Sequence, residues 1–294
     1  VSEHAASMGG SQIFLEVGET MTVEELVKSV VVASANDAAV ALAEFTEGSE
    51  AAFVDRMNER AAQLGMADTH FVNCNGLPDE GHYSTAYDIA LMSRELMRHD
   101  GIFEFTTIWM DSLRGGAFTL SNTNKLIRFY DGATGLKTGS TDEAKFCISA
   151  TAKRDNMHLI AVVMAAPTSK QRSADASKLL NYGFANYAVI PLAIKGEEAA
   201  RLHIEKGKDG ETPLACAENL DYLCKKGEQP EIERTPIFEE NLCAPCAEGE
   251  RAGELIIKSG DRELGRCDLI FAENVPRMTY GGIFSAMISK WVRM

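Results

Sequence analysis

Apolar residues three and four positions apart organise the first third of the chain. Leu26, Val27, Val30 and Val31 follow Thr22 and Glu25, a hydroxyl and carboxylate spaced to satisfy two free backbone N–H groups at a helix start. This predicts a helix from Thr22, a break at Ser34-Ala35-Asn36 and a resumption through Ala38–Phe45. A third helix is expected from about Ser49 to Gly65, with Phe53, Val54, Met57, Ala61 and Leu64 on one side and Gly65 as its stop. A fourth begins after Ser84-Thr85 and carries Ile89, Leu91, Met92 and Leu96. The pattern then shortens. Gly135–Thr138, Phe146–Thr151 and Leu159–Met164 read as strands, and the polar turn Arg154-Asp155-Asn156 joins the last two as an antiparallel hairpin. A helix from about Ser169 to Tyr182 closes this part through Ala174, Leu179 and Leu180.

Helices before and after a largely antiparallel sheet predict an α+β layered domain over residues 1–188. Short alternating segments split by Gly, Pro and Lys/Glu clusters predict a smaller β-rich domain over 189–280. Over 281–294, Ile283, Phe284, Met287, Ile288, Trp291 and Val292 form a helical stripe with Lys290 and Arg293 outside it. That stripe suits either a helix packed on its own domain or one lying in a membrane interface.

Composition narrows the function classes. The 294 residues are 45% hydrophobic and 24% charged, as in an ordinary folded protein. The net charge of −14 argues against a partner held by its phosphate backbone, and no nucleic acid is expected. Both parts are acidic, so charge does not mark the boundary. No apolar run approaches the ~18 residues of a membrane span. The chain opens on Val1 without signal-peptide features, as a processed or trimmed product would.

Seven cysteines are present, five of them after residue 189: Cys216, Cys224, Cys243, Cys246 and Cys267. Cys243-Ala-Pro-Cys246 has the spacing of a zinc knuckle or redox pair, but lacks a second ligand pair for zinc and the βαβ context for redox work. Ordinary buried or loop thiols are one remaining reading. A disulfide from Cys216 or Cys224 to a later cysteine is the other. No metal or cofactor is expected. The six histidines are scattered, and His82 reads as either a catalytic or a structural loop residue.

Two short motifs carry candidate chemistry: Ser34-Ala35-Asn36 between helices, and Lys137-Thr138-Gly139 on a strand. Alone, the first reads as a helix break made by side-chain-to-backbone bonds, and the second as an exposed strand end. Their order and surroundings say more. In penicillin-recognising acyl transferases a Ser-x-x-Lys nucleophile is followed by Ser-x-Asn and then by Lys-Thr-Gly. Together with Gly10–Leu15, Gly81–Asp88, Lys137–Asp142 and Lys178–Phe184, the chain resembles the low-molecular-mass D-alanyl-D-alanine carboxypeptidases, serine DD-peptidases of the penicillin-binding protein 5 and DacF type. The resemblance covers residues 1–188 and continues more loosely to residue 294.

This resemblance implies a penicillin-recognising fold and acyl transfer on peptidoglycan stem peptides, with β-lactams as inhibitors. Ser34 would take part in the proton relay and Asn36 would bind the substrate amide. Lys137 would place a positive charge near the substrate carboxylate, and Thr138 in the Lys-Thr-Gly139 strand would hydrogen-bond it. The Ser140 N–H would be an oxyanion-hole donor, a contribution of ~3 kcal/mol in other acyl-transfer enzymes. Arg172 would be a second cation for the terminal carboxylate. The family also implies an extracytoplasmic position on the outer face of the bacterial cytoplasmic membrane, held by the C-terminal helix. One departure stands out: no Ser-x-x-Lys occurs in the chain. Only 33 residues precede Ser34, so the missing motif is expected before Val1, and the chain alone is expected not to turn over. Asn75 also stands where the family often carries histidine. A non-catalytic cell-wall-binding homologue is the alternative. A serine β-lactamase fits less well with the sequence after Asn36 and the β-rich tail.

Overall fold

Serine and threonine caps start four helices of the first part: Ser2 for α1 (Glu3–Ala6), Thr22 for α2 (Val23–Lys28), Ser49 for α4 (Glu50–Gln63) and Thr85 for α5 (Ala86–Leu96). Each hydroxyl accepts the backbone N–H three residues on, a bond worth about 1 kcal/mol to a helix. The helix α3 (Asn36–Glu47) has no side-chain cap. It is preceded by a π-helical turn, Ser29–Ala33, that ends at Ser34 in a left-handed conformation (φ 62°, ψ 39°). The computed structural model describes residues 1–208, 210–279 and 281–282.

The chain divides into two compact units, Val1–Ala185 and Asn186–Met294. In the first, Ile13, Leu15, Leu26, Val32, Ala35 and Ala38 form a core with Leu113 and Leu120. The last two come from a hairpin that the apolar pattern did not predict, β1 (Met110–Leu113) and β2 (Phe118–Ser121), with Met110 opposite Ser121. Two short helices, α6 (Phe103–Thr106) and α7 (Leu126–Phe129), flank it in sequence.

The main sheet of this unit has the order β3 (Ala133–Thr141), β4 (Lys145–Arg154), β5 (Met157–Ala166), all antiparallel. Lys137 lies opposite Ser149, Thr138 opposite Ile148 and Gly139 opposite Cys147. The helix α5 meets this sheet through a buried Ser93–Ser149 hydroxyl bond of 2.7 Å. The closing helix α8 (Ser169–Asn186) buries Arg172, Ala176, Leu180 and Phe184. Their four-residue spacing makes one stripe, and burying Leu180 alone contributes about 2 kcal/mol.

The second unit is β-rich. A five-stranded antiparallel sheet runs in the order β10, β11, β12, β8, β7, and β6 (Tyr187–Ala193) pairs separately with β9 (Leu220–Lys225). The larger sheet is built from β7 (Glu198–Leu202), β8 (Thr212–Cys216), β10 (Glu233–Phe238), β11 (Arg251–Ser259) and β12 (Arg262–Phe271). Alternation on β11 and β12 sends Leu255, Ile257, Leu269 and Phe271 inward with Leu192, Ile204 and Leu214. The architecture is thus α+β with a C-terminal β-rich domain. The amphipathic helix expected over 281–294 falls, from residue 283 onward, outside the described residues. Among the described residues no helix is long and apolar enough to cross a membrane.

Candidate active site

A backbone turn and a strand bring Ser34 and Lys137 together across 103 positions of sequence: Lys137 Nζ donates to Ser34 Oγ at 2.7 Å. A second bond of 2.7 Å runs from the same ammonium to the Thr138 carbonyl oxygen. Among the described ion pairs none neutralises Lys137. Burial, and then the charge of Arg172, push its pKa from 10.5 down to about 8. At neutral pH the group remains largely protonated, so the site presents a partly dehydrated cation beside a hydroxyl.

Ser34 reaches this position because of how its loop is stitched. Asn36 donates through Nδ2 to the Gly9 carbonyl at 2.8 Å, and its backbone N–H donates to the Ser11 carbonyl at 2.8 Å. Gly10, at φ 79°, allows that approach, since a Cβ there would stand 2.7 Å from Asn36 Nδ2. Behind it, the fully buried Asp37 carboxylate accepts the N–H groups of Ile13, Leu15 and Ala38. A carboxylate in the first turn of α3 also complements the helix dipole. The Ser-x-Asn loop therefore rests on segment 9–15 through fixed polar bonds.

Thr138 is buried, and its hydroxyl shares a 2.6 Å bond with the Thr123 hydroxyl. Gly139 and Ser140 are exposed on the strand beyond it. Arg172 lies 5% exposed. Its Nη1 donates to the carbonyls of Gly139 (3.5 Å) and Cys147 (3.3 Å), which face each other across β3 and β4, while Nη2 donates to Ser169 Oγ at 3.3 Å. Its Nε is buried without a partner, and burial lowers the guanidinium pKa. The guanidinium thus braces the strand pair from main-chain carbonyls while adding positive charge near Lys137.

Two cavities meet at Lys137. One, of 250 Å³, is lined by Ser34, Asn36, Asn75, His82 and Lys137. The other, of 430 Å³, is lined by Leu96, Leu136, Lys137, Gly139, Cys147 and Met164. His82 accepts the Val72 N–H through Nδ1 at 3.2 Å, and burial lowers its pKa, which keeps it neutral at neutral pH. Burial and the Glu50 carboxylate push the Cys74 thiol up to about 12, which removes it as a nucleophile at neutral pH.

Ser34, Asn36 and Lys137 thus line one cavity, Lys137, Thr138 and Gly139 line the other, and Arg172 stands behind the strand. Ser140 lies one residue beyond Gly139 on that strand. Sequence reasoning did not find Thr123, the hydroxyl partner of Thr138. It also missed Asn124, whose Nδ2 donates to the Gly135 carbonyl at 3.1 Å and steadies the start of β3. The polar run Ser121–Asn124 ahead of β3 was the available signal, because two of its amide side chains are buried. All seven cysteines are free thiols, and among the described residues no group of three His, Cys, Asp or Glu is placed to hold a metal.

Comparison with known proteins identifies the family. The family model described as D-alanyl-D-alanine carboxypeptidase matches residues 1–168, and the penicillin-binding protein 5 C-terminal domain matches residues 187–277. The chain is 42% identical over 296 aligned positions to the D-alanyl-D-alanine carboxypeptidase DacF of Bacillus subtilis, covering 99% of this chain and 76% of that protein. It is 33% identical to the DacD carboxypeptidase of Escherichia coli, covering 95% and 72% respectively. Among solved structures, penicillin-binding protein 5 from Haemophilus influenzae superposes with a TM-score of 0.69 at 29% identity, covering 91% of this chain and 78% of that one. With one family model spanning more than half of the chain and the DacF match nearly all of it, this chain belongs to the D-alanyl-D-alanine carboxypeptidase family, peptidase S11.

Proposed function

We propose that this chain forms the substrate-gripping part of a serine-type D-Ala-D-Ala carboxypeptidase that trims peptidoglycan stem peptides through an acyl-enzyme. The observation that carries the reading is the bond between the Lys137 ammonium and the Ser34 hydroxyl. A dehydrated ammonium attracts the terminal carboxylate of the peptide strongly, because little water screens it. Thr138 adds a hydrogen bond to that carboxylate, and Arg172 adds a second positive charge behind the strand. Asn36 holds the substrate amide, and the Ser140 N–H donates to the oxygen of the tetrahedral intermediate.

The nucleophile is a serine hydroxyl in a Ser-x-x-Lys motif. That motif is absent from the 294 residues. Its oxygen attacks the carbonyl carbon of the penultimate D-Ala. The C–N bond to the terminal D-Ala then breaks, the proton passes through the Lys137–Ser34 pair to the leaving amine, and water hydrolyses the ester. Such a substrate, and β-lactams as inhibitors, imply an extracytoplasmic enzyme at the outer face of the cytoplasmic membrane, with residues 281–294 as its contact to that surface.

The test uses the chain extended upstream to include a Ser-x-x-Lys. Labelled penicillin should acylate it and D-Ala should be released from a D-Ala-D-Ala peptide, while residues 1–294 alone do neither. Peptide binding without acylation by the extended chain would instead identify a non-catalytic cell-wall-binding homologue.

A further inference from the structure

The second unit holds two buried thiols on neighbouring strands that no part of the catalytic reading uses. Cys216 is the last residue of β8, and Cys267 lies on β12, 2% and 1% exposed. Leu269 faces Cys216 across the ladder, so Cys267, two residues earlier, is the diagonal neighbour on the same side. Both belong to the same buried apolar cluster of this unit, and burial, with the Cys267 thiol adding to it, raises the Cys216 pKa. Cys267 Sγ approaches the Asp268 carbonyl at 3.4 Å and the Glu218 carbonyl at 3.6 Å. The Cys243 and Cys246 thiols likewise contact backbone, at 3.6 Å from the carbonyls of Ala244 and Cys243 respectively, but they lie in a loop rather than on paired strands.

The ladder between β8 and β12 is the short one in this sheet. Its register pairs Leu214, Ala215 and Cys216 with Phe271, Ile270 and Leu269, and a single further bond, from the Ala217 N–H to the Asp268 carbonyl at 2.9 Å, lies beyond Cys216. A ladder end frays more readily than its middle, which admits a small reagent to a thiol that is otherwise covered. Diagonal neighbours stand about 7 Å apart, so a link between them draws the two strands slightly together as the ladder closes again.

We propose that Cys216 and Cys267 close into a disulfide when the protein meets a low-molecular-mass disulfide oxidant. One thiol loses its proton, and its thiolate attacks a sulfur of the oxidant and expels one thiolate. The second cysteine then attacks the mixed disulfide and expels the other. Two S–H bonds become one S–S bond, the oxidant is reduced to two thiols, and the new link covers the weak end of the β8–β12 ladder. This reading is independent of the catalytic one. Burial and the neighbouring Cys267 thiol push the Cys216 pKa up to about 11, so closure should speed roughly tenfold between pH 7 and pH 8.

The test is peptide mapping of the unmodified full chain after incubation with oxidised glutathione at pH 9, followed by alkylation in denaturant. A Cys216–Cys267 linked peptide is expected, with a higher thermal midpoint than the reduced protein that dithiothreitol reverses. The Cys216→Ala chain should show no such rise. A map in which Cys216 and Cys267 are both alkylated, or in which the link joins Cys243 to Cys246, overturns the proposal.

Discussion

The two units bury polar groups very unevenly. Of the thirteen buried polar or charged residues among those described, twelve lie in the first unit, and Thr212 is the sole one in the second. The difference in size does not account for this. Buried polar groups are tolerated only when bonded, and each one narrows the geometries a region can adopt. In the first unit they gather behind the Ser-x-Asn loop (Ser29, Asn36, Asp37) and around β3 (Thr106, Asn124, Thr138, Ser149, Arg172). The second unit keeps its charges on the surface, where Arg251 pairs with Glu239, Glu254 and Asp268. One unit uses polarity to fix atoms, and the other uses an apolar sheet to stay folded.

Substitutions can break this contrast. The largest effect is expected at Lys137: in the chain extended upstream, Lys137→Ala should slow acylation by labelled penicillin about 10³-fold, the scale of a lost proton-transfer and charge-stabilising group. Retention of rate within threefold would show that the Ser34–Lys137 contact is only structural. Next comes Asp37→Ala, which leaves three buried N–H groups without an acceptor. A urea titration should read a loss of about 3 kcal/mol, whereas Asp37→Asn, which keeps one acceptor oxygen, should lose less.

Lys137→Met should move stability the other way. The folded lysine releases its proton near 8 and the unfolded one near 10.5, so between those values the unfolded state binds more protons. Stability should therefore rise with pH from about 8 towards 10.5 in the natural chain and stay flat in Lys137→Met. Below pH 8 the variant should gain on the order of 2 kcal/mol after allowing for partial exposure, as scanning calorimetry at several pH values would show. The smallest effect belongs to the second unit. Arg251→Ala removes an exposed ion-pair hub and should leave the acylation rate unchanged and the thermal midpoint almost so.

Much of the fold was legible because local chemistry and tertiary structure agreed. Thr22, Ser49 and Thr85 cap the helices they were expected to start, and the strands of the β4–β5 hairpin run past the apolar segments at both ends, β4 from Lys145 to Arg154 and β5 from Met157 to Ala166. The β1–β2 hairpin was not legible: its strands are four residues long, and each buries one side chain, too little for a periodic signal. At the site, residue types and order pointed to Ser34, Asn36, Lys137 and Thr138. Their partners did not: Gly9 and the carbonyls that Arg172 holds offer only backbone, Thr123 is one hydroxyl in a polar run, and all meet these residues only through folding.

The π-helical turn before Ser34 has a consequence for chain length rather than residue type. An α-helix advances about 100° and 1.5 Å per residue. Rewinding all five residues of Ser29–Ala33 as α-helix, with none removed, would therefore turn every later side chain by roughly a quarter of a revolution relative to α2, because a π turn advances less per residue. Ser34 would then swing away from Lys137 although no site residue had changed. The π turn thus absorbs one spare residue: a homologous sequence one residue shorter just before Ser-x-Asn should keep the phase with plain α-helical winding, and a same-length sequence that loses the π turn should lose the Ser34–Lys137 contact.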